Sequence, residues 1–432
     1  MKMANMDDYF DVVIVGTGAA GLYCALNLPA RYRILLLTKQ KADESDSFLA
    51  QGGICMQHGE ADYRPFFDDT MRAGHYENNP ATVDLMIRSS NSIIRDLVRR
   101  GVRFARDEHG ALRFTREGAH SRPRILFHED ITGHEITQTL LNEVLRCENI
   151  ELREHTTLLD FFADASACGG VIAAGPDGEP RAIGAGAVVL ACGGIGGLYK
   201  NSTNFPHITG DAIAMALRHG VDCEHLDYIQ IHPTTLYSHR KGRRFLISES
   251  VRGEGALLLD KNGNRFTNEL QPRDVVSAAI RAQMEKDGTD HVWEDMRPIG
   301  EADIREHFPN ILERCEEEGY DPIHEPIPVV PAQHYFMGGI TADLSSRTAL
   351  PRLYACGETC CNGVHGRNRL ASNSLLESLV FAQRAADDIL YGEPPVFTGD
   401  KPDLAPYREQ EPLFAAYRQE VLTAIERSKN HE

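Results

Sequence analysis

Apolar positions cluster first in a β-branched run at Asp11–Val15, which leads straight into GTGAAG at Gly16–Gly21 and then LYCALNL, a segment of helical character. A second apolar run at Ile34–Thr38 completes a βαβ unit of about thirty residues, so a parallel sheet is expected. Between Pro80 and Arg100 apolar side chains recur at three- and four-residue spacing (Val83, Met86, Ile87, Ile93, Ile94, Leu97), with Gly101 at the place of a helix C-cap. This predicts an amphipathic helix. A helix over Gly133–Cys147, a strand at Ile150–Leu152 and a buried strand at Ile183–Leu190 follow, and both strands are expected to extend the same sheet.

The texture changes between Asp227 and Gln333. More charge, the only Trp, several Pro and mixed helix and loop signals predict an inserted second domain. The βα texture returns at Leu350–Glu358, a helix is predicted over Ser372–Leu390, and a Pro-rich, charged tail follows Gly392. The first domain is therefore read as discontinuous.

The 432 residues include 45 Lys plus Arg against 63 Asp plus Glu, a formal net charge of −18 that repels nucleic-acid backbones and acidic lipid. Any anion site must be local. A hydrophobic content of 42% supports a real core and excludes wholesale disorder. The longest apolar stretches, such as Ala187–Cys192, fall far below the roughly 20 residues that span a bilayer. No signal-peptide pattern is read at the N-terminus, and the ten Cys contain no CxxC, so a reducing cytoplasm is expected. Cys356, Cys360 and Cys361 lack a paired fourth thiol and are read as packing residues; no metal is assigned.

In GTGAAG, Gly16 allows the tight turn, Gly18 lets the backbone approach a pyrophosphate, and Gly21 lets helix and strand pack closely. The helix N-terminus then faces the phosphates. This placement favours dinucleotide binding and leaves FAD or NAD open. The second strand ends Thr38, Lys39, Gln40 without the usual acid, so the ribose contact must come from another group. Gly193, Gly194, Gly196 and Gly197 look like a second nucleotide loop, yet no GxGxxG aligns through them, so one dinucleotide is counted.

Eight segments occur in one order: TGAAGL, LAQGGI (Leu49–Ile54), TREGAHS (Thr115–Ser121), QIHPT (Gln230–Thr234), RGEGA (Arg252–Ala256), PRDVV (Pro272–Val276), PAQHY (Pro331–Tyr335) and HGRNRLASNSLLE (His365–Glu377). Together they closely resemble the L-aspartate oxidase family, within the succinate dehydrogenase and fumarate reductase flavoproteins, from Asp11 to Leu390. The resemblance implies an α/β fold: a Rossmann-like FAD-binding domain at 1–226 and 335–395, an inserted α+β capping domain at 227–334, and a short helical tail at 396–432. Aspartate oxidases commonly carry a longer C-terminal helical domain than this tail.

The resemblance also implies FAD and its contacts. Gly16, Gly18 and Gly21 would hold the pyrophosphate, Gln51, Gly52 and Gly53 would pass beside the isoalloxazine, and Glu358 would bind ribityl or ribose hydroxyls. Ser374 and Leu375, at a helix N-terminus, would offer backbone N–H groups to the flavin pyrimidine, where negative charge develops on reduction. Ala19, Ala20, Thr38, Lys39, Ser47, Gly193, Gly194, Asp211, Ser372 and Asn373 complete the implied set. Complex-bound relatives attach FAD through a His that precedes the QGG-like segment. Asp46 takes its place, so the flavin is expected to be held without a covalent bond.

For the substrate, the resemblance puts His232, His334 and Arg369 on the two carboxylates of a C4 dicarboxylate, with Ser248 and Arg273 close to the reacting carbons. Arg273 matches the family's proton-transfer arginine, and arginine's rigid fork meets a carboxylate bidentately. Taken singly, each of these residues in an acidic protein is more often an ion-pair member; the motif contexts favour the site. Glu117 separates the branches. Relatives acting on succinate or fumarate do not normally carry an acid there, whereas a carboxylate attracts the ammonium of aspartate and repels a plain dianion. Ser248 stands where some aspartate oxidases have Thr, which keeps the hydroxyl.

The expected activity is oxidation of L-aspartate to iminoaspartate, with electrons passed to oxygen or fumarate, feeding quinolinate synthase in de novo NAD synthesis. Aspartate, fumarate and succinate are the expected ligands, and a monomer or small homo-oligomer the expected assembly. The first rival, a soluble fumarate reductase or succinate dehydrogenase flavoprotein, shares every motif except the acid at Glu117 and usually adds a haem, iron–sulfur or membrane partner; no haem-attachment CxxCH occurs here. A non-catalytic flavin-binding protein with a decayed site is opposed by the intact set His232, Arg273, His334 and Arg369.

Overall fold

The computed structural model describes residues 8–240, 242–392 and 397–429. Residues 1–7, where no leader was read, and the 395/396 domain boundary lie outside the described residues. Strand Tyr9–Val15, helix Ala19–Asn27 and strand Ile34–Leu37 form the expected βαβ unit and begin a seven-stranded sheet. Ile34–Leu37 pairs in parallel with Tyr9–Val15 on one side and with Ile150–Arg153 on the other. All four of its residues are buried, as a parallel strand covered on both faces requires.

Strand Pro180–Leu190 organises the other half of the sheet. Along Gly184–Leu190 it runs parallel to Tyr9–Val15, while its opposite edge takes Cys168–Ala174 near its start and Leu353–Ala355 near its end. The expected parallel sheet is therefore corrected at this edge. Thr157–Ala163 and Cys168–Ala174 form an antiparallel hairpin whose runs of apolar residues and glycines carry no period-two alternation.

Helix Pro80–Arg100 has the predicted bounds, set by Pro80 at its first turn, by the Asn79 side chain accepting from Ala81 N, and by Gly101 at φ 102°. Helix Asn373–Tyr391 buries Leu375, Leu376, Leu379 and Val380 against this helix and Ala19–Asn27. In the tail, helix Gln410–Lys429 buries Tyr417, Val421 and Ile425, and the Tyr417 hydroxyl donates to Leu159 O at 2.7 Å. Among the described residues no helix is long and apolar enough to cross a membrane.

A second, four-stranded antiparallel sheet runs in the order Ile229–Leu236, Ile327–Phe336, Val292–Asp295, Leu257–Leu259. Its own core includes Val251, Leu258, Val276, Ile280, Phe308 and Val329, with helix Arg273–Asp287 packed on the first strand. The strand Ile327–Phe336 runs past the 334/335 boundary read from the sequence. A small sheet of Ile54–Cys55, Ile125–Leu126 and Phe114–Thr115 holds the segment after Gly53 beside the segment that leads to Glu117.

Two backbone and burial features of this fold give direct tests. Gly16 has φ 115°, and a Cβ there would lie 2.0 Å from Ala191 O, so the turn passes hard against the end of Pro180–Leu190. Gly16→Ala is expected to lower the unfolding free energy by about 2–4 kcal/mol, read as a lower urea midpoint. Glu294, on Val292–Asp295, is fully buried with neither carboxylate oxygen hydrogen-bonded, and burial pushes its pKa up to about 8. An acid raised in the folded state stabilises less as pH climbs from its unfolded value through its folded one. Glu294→Gln is therefore expected to raise stability by an amount that grows from about pH 5 to pH 8, reaching on the order of 1–3 kcal/mol in urea unfolding.

Candidate active site

One long cavity of roughly 1710 Å³, open mouth included, runs from the glycine turn to the underside of the second sheet. At its glycine end, Gly18 is extended and caps helix Ala19–Asn27, whose first N–H, that of Ala19, donates to Ser47 Oγ at 3.0 Å. A Cβ on Gly21 would stand 2.0 Å from Gly16 O, so this glycine seats the helix on the turn rather than facing the cavity. Further along, Lys39 Nζ pairs with Asp211 at 2.7 Å and donates to His207 O at 3.2 Å, closing the position where the usual acid is missing. Glu358 accepts from Phe336 N at 2.9 Å, and burial, with Asp46 adding, pushes it up to about 8.

Gly16, Gly18, Ala20, Thr38, Lys39, Ser47, Gln51, Gly52, Gly53, Gly193, Asp211, Glu358, Ser372, Ser374 and Leu375 all line this cavity. Ala19, Gly21, Gly194 and Asn373 do not. Gly194 backs onto Glu358, and Asn373 turns its amide to Thr70 Oγ1 at 3.2 Å. The wall fits a large polar cofactor in two respects. A Cβ on Gly52 would meet Glu117 Oε1 at 2.4 Å, so the wall presents bare backbone there. Gln51 Oε1, Ser45 Oγ and Asp46 Oδ2 are buried there without a hydrogen-bond partner.

The six substrate-side residues named from the sequence, Glu117, His232, Ser248, Arg273, His334 and Arg369, converge at the other end. Strands Ile229–Leu236 and Ile327–Phe336 lose register around His232, a bulge that turns a fully buried imidazole toward the cavity. The His232 and His334 rings meet edge-on with centroids 5.1 Å apart. His232 Nδ1 lies 2.9 Å from Thr234 O and 3.2 Å from Thr234 N, and its Nε2 is unpartnered; His334 Nδ1 lies 2.8 Å from Thr203 Oγ1. Burial first, then nearby Arg273, holds both imidazoles well below their usual pKa, so both are neutral.

Arg273 opens helix Arg273–Asp287 and donates from Nε to Glu249 at 2.5 Å and from Nη1 to Gln230 Oε1 at 2.8 Å. Arg369 stacks over the Tyr335 ring at 4.4 Å, donates to Ser374 Oγ, and leaves its Nε unpartnered; burial, then Arg273, lowers it to about 10, still charged at neutral pH. Burial pulls Glu249 upward, but Arg273 and Arg252 outweigh it and keep it ionised. Glu117 is 3% exposed and accepts from Ser250 Oγ at 2.8 Å and Ser372 Oγ at 2.6 Å. Burial and then Glu249 raise its pKa, and no cationic side chain among the described residues forms an ion pair with it. Glu249, Ser250, Gln230 and Thr203 escaped the sequence reading, although Gln230 opens QIHPT and Glu249 and Ser250 stand three and two residues before Arg252 of RGEGA.

The family described as FAD binding domain matches residues 11–375. The L-aspartate oxidase of Clostridium perfringens is 48% identical over 380 residues, covering 88% of this chain and 86% of that protein, and that of Clostridium acetobutylicum is 48% identical over the same share of the chain and 87% of its own. Among solved structures, a quinol-fumarate reductase with menaquinol molecules superposes with TM-score 0.84 at 32% identity, over 95% of this chain and 75% of the other. The Mycobacterium smegmatis Sdh1 complex in the apo form superposes with TM-score 0.77 at 30% identity, over 95% and 72%. The glycine-walled cavity and its unpartnered polar atoms accord with FAD as the cofactor of this chain. By the extent of its sequence match and the geometry around its cavity, the chain belongs to the L-aspartate oxidase branch of the succinate dehydrogenase and fumarate reductase flavoproteins.

Proposed function

We propose that this protein oxidises L-aspartate to iminoaspartate, the first step of NAD biosynthesis through quinolinate, with oxygen or fumarate taking the electrons. One observation carries the reading. Glu117 is a buried carboxylate without a cationic partner, on the same cavity wall as Arg273, Arg369 and two neutral imidazoles. A ligand with two carboxylates and one ammonium complements that wall, whereas a plain dicarboxylate leaves Glu117 facing its negative charge.

In this reading Arg369 holds one carboxylate, and His334 donates from Nε2 when its Nδ1 accepts from Thr203 Oγ1, while neutral His232, its Nδ1 proton directed at Thr234 O 2.9 Å away, presents an accepting Nε2 to the pocket. Ser248 Oγ stands by the reacting carbons. Arg273, fixed by Glu249 and Gln230, faces the substrate from the end of its helix and stabilises negative charge there. FAD, when bound non-covalently, supplies the acceptor for the Cα hydride. The substrate ammonium must shed one proton as the hydride leaves, and Glu117 takes it; its raised pKa supports that role. The 32% identity to a quinol-fumarate reductase supports fumarate as a second ligand of the same clamps. The ten unbonded cysteines support a cytoplasmic location.

The reading is tested by mixing the yellow holoenzyme anaerobically with L-aspartate or with succinate and following flavin absorbance. Rapid bleaching by L-aspartate alone is expected; bleaching by succinate alone would move the protein to the dehydrogenase branch. Glu117→Gln is expected to lower kcat/KM for L-aspartate roughly ten- to a hundredfold and to tighten succinate binding, measured by steady-state kinetics and inhibition.

A further inference from the structure

Glu117 reaches the cavity across Gly52, where an added Cβ would lie 2.4 Å from Glu117 Oε1. Each of its oxygens has one direct donor, and the donors come from different elements. Ser250 belongs to helix Glu249–Gly253, and Ser372 is the N-cap of Asn373–Tyr391, held at φ 60°. Both hydroxyl oxygens already accept a hydrogen bond from elsewhere. Ser372 Oγ accepts from Gly53 N at 3.1 Å and Ser250 Oγ accepts from Ser248 Oγ at 3.3 Å, so each hydroxyl has its own proton left for the carboxylate. A donor aimed at a carboxylate oxygen favours its ionised form.

The charged and titratable groups around Glu117 leave this task to the serines. Glu249, beside Ser250, opposes ionisation, while Arg273 on helix Arg273–Asp287 favours it but spends its Nε on Glu249. The Cys55 thiol of strand Ile54–Cys55 is pushed well above its usual range, chiefly by burial, and stays neutral. His120, on the same loop as Glu117, is lowered by burial to about 4 and is neutral as well.

We propose that Ser250 and Ser372 are positioning residues that set substrate specificity: their hydroxyls hold Glu117 anionic and aimed, so that the preference for an amino dicarboxylate over a plain dicarboxylate depends on them. This rests on the reading of Glu117 given above. Removing either hydroxyl leaves burial and Glu249 to protonate Glu117 over more of the neutral range, which weakens attraction for an ammonium and relieves repulsion of a dianion.

The test compares holoenzymes carrying Ser250→Ala, Ser250→Thr, Ser372→Gly and Glu117→Gln with the wild type. Gly suits the positive φ at Ser372, and Thr keeps the hydroxyl at Ser250. The pH profile of kcat/KM for L-aspartate and inhibition by succinate are measured for each. Ser250→Ala and Ser372→Gly are expected to move the acid limb up by about one pH unit, to raise KM roughly three- to tenfold at pH 7, and to tighten succinate binding severalfold. Ser250→Thr is expected to follow the wild type. An unmoved acid limb in both serine variants, with the limb lost in Glu117→Gln, would overturn the role of the serines and leave that of Glu117 standing. Equal losses in kcat and in succinate affinity without a pH shift would reduce them to structural residues and overturn it too. If Glu117→Gln keeps the wild-type KM and limb, the reading of Glu117 falls and this inference with it.

Discussion

Arg273 and Glu249 are both more than nine-tenths buried, and their ion pair is what allows further charge to share the same small space. Removing either partner alone would strand a buried charge, a loss of about 3–5 kcal/mol. With Glu249 committed to Arg273 and Arg252, Glu117 remains the carboxylate without a cation. With both imidazoles neutral, Arg369 and Arg273 remain the cationic ends of the clamp. The wall thus carries a charge pattern that neither the net charge of −18 nor any single motif contains.

Much of the frame was legible before any coordinates. The GTGAAG turn, the helix Pro80–Arg100 and the strands on either side of Tyr9–Val15 follow from local rules, because caps, glycine turns and continuous apolar runs act over a few residues. All six substrate-side residues line one cavity, and five of them sit inside an ordered motif, Ser248 standing four residues before RGEGA. The hairpin Thr157–Ala163 and Cys168–Ala174 was not legible: its strands are buried on nearly every residue, so neither face is polar and no alternation marks them.

The donors around Glu117 escaped for a different reason. Ser250 lies 133 residues away in sequence and Ser372 lies 255 away, so nothing in the local pattern joins them to an acid. A serine before a helix reads as a cap, and Ser248 does cap one, accepting from Ser250 N at 3.2 Å. The second use of Ser250 appears only when the helix Glu249–Gly253 is laid beside the loop that carries Glu117. Asn373 fails in the opposite direction. Its motif is right, but the first turn of a helix points neighbouring side chains about 100° apart, and this one faces Thr70 while Ser374 and Leu375 face the cavity.

The loop bearing Glu117 is itself held from beneath by charge rather than by apolar packing. Arg124 is fully buried and pairs with Asp62 at 3.0 Å and Asp69 at 2.8 Å, while Asp69 accepts from both the backbone and the hydroxyl of Ser121. Arg124 Nη1 donates to His120 Nδ1 at 2.8 Å, which places the proton of this neutral imidazole on Nε2, directed at Ala371 O, 3.0 Å away. One guanidinium therefore fixes a histidine tautomer, and that tautomer ties the Glu117 loop to the residue just before Ser372. The two partners of the shortest bond to Glu117 are joined a second time through this buried network, so the carboxylate and its donor move as one unit. An apolar support could pack as tightly, but it would not define which nitrogen carries the proton, and the register between loop and helix cap would rest on shape alone.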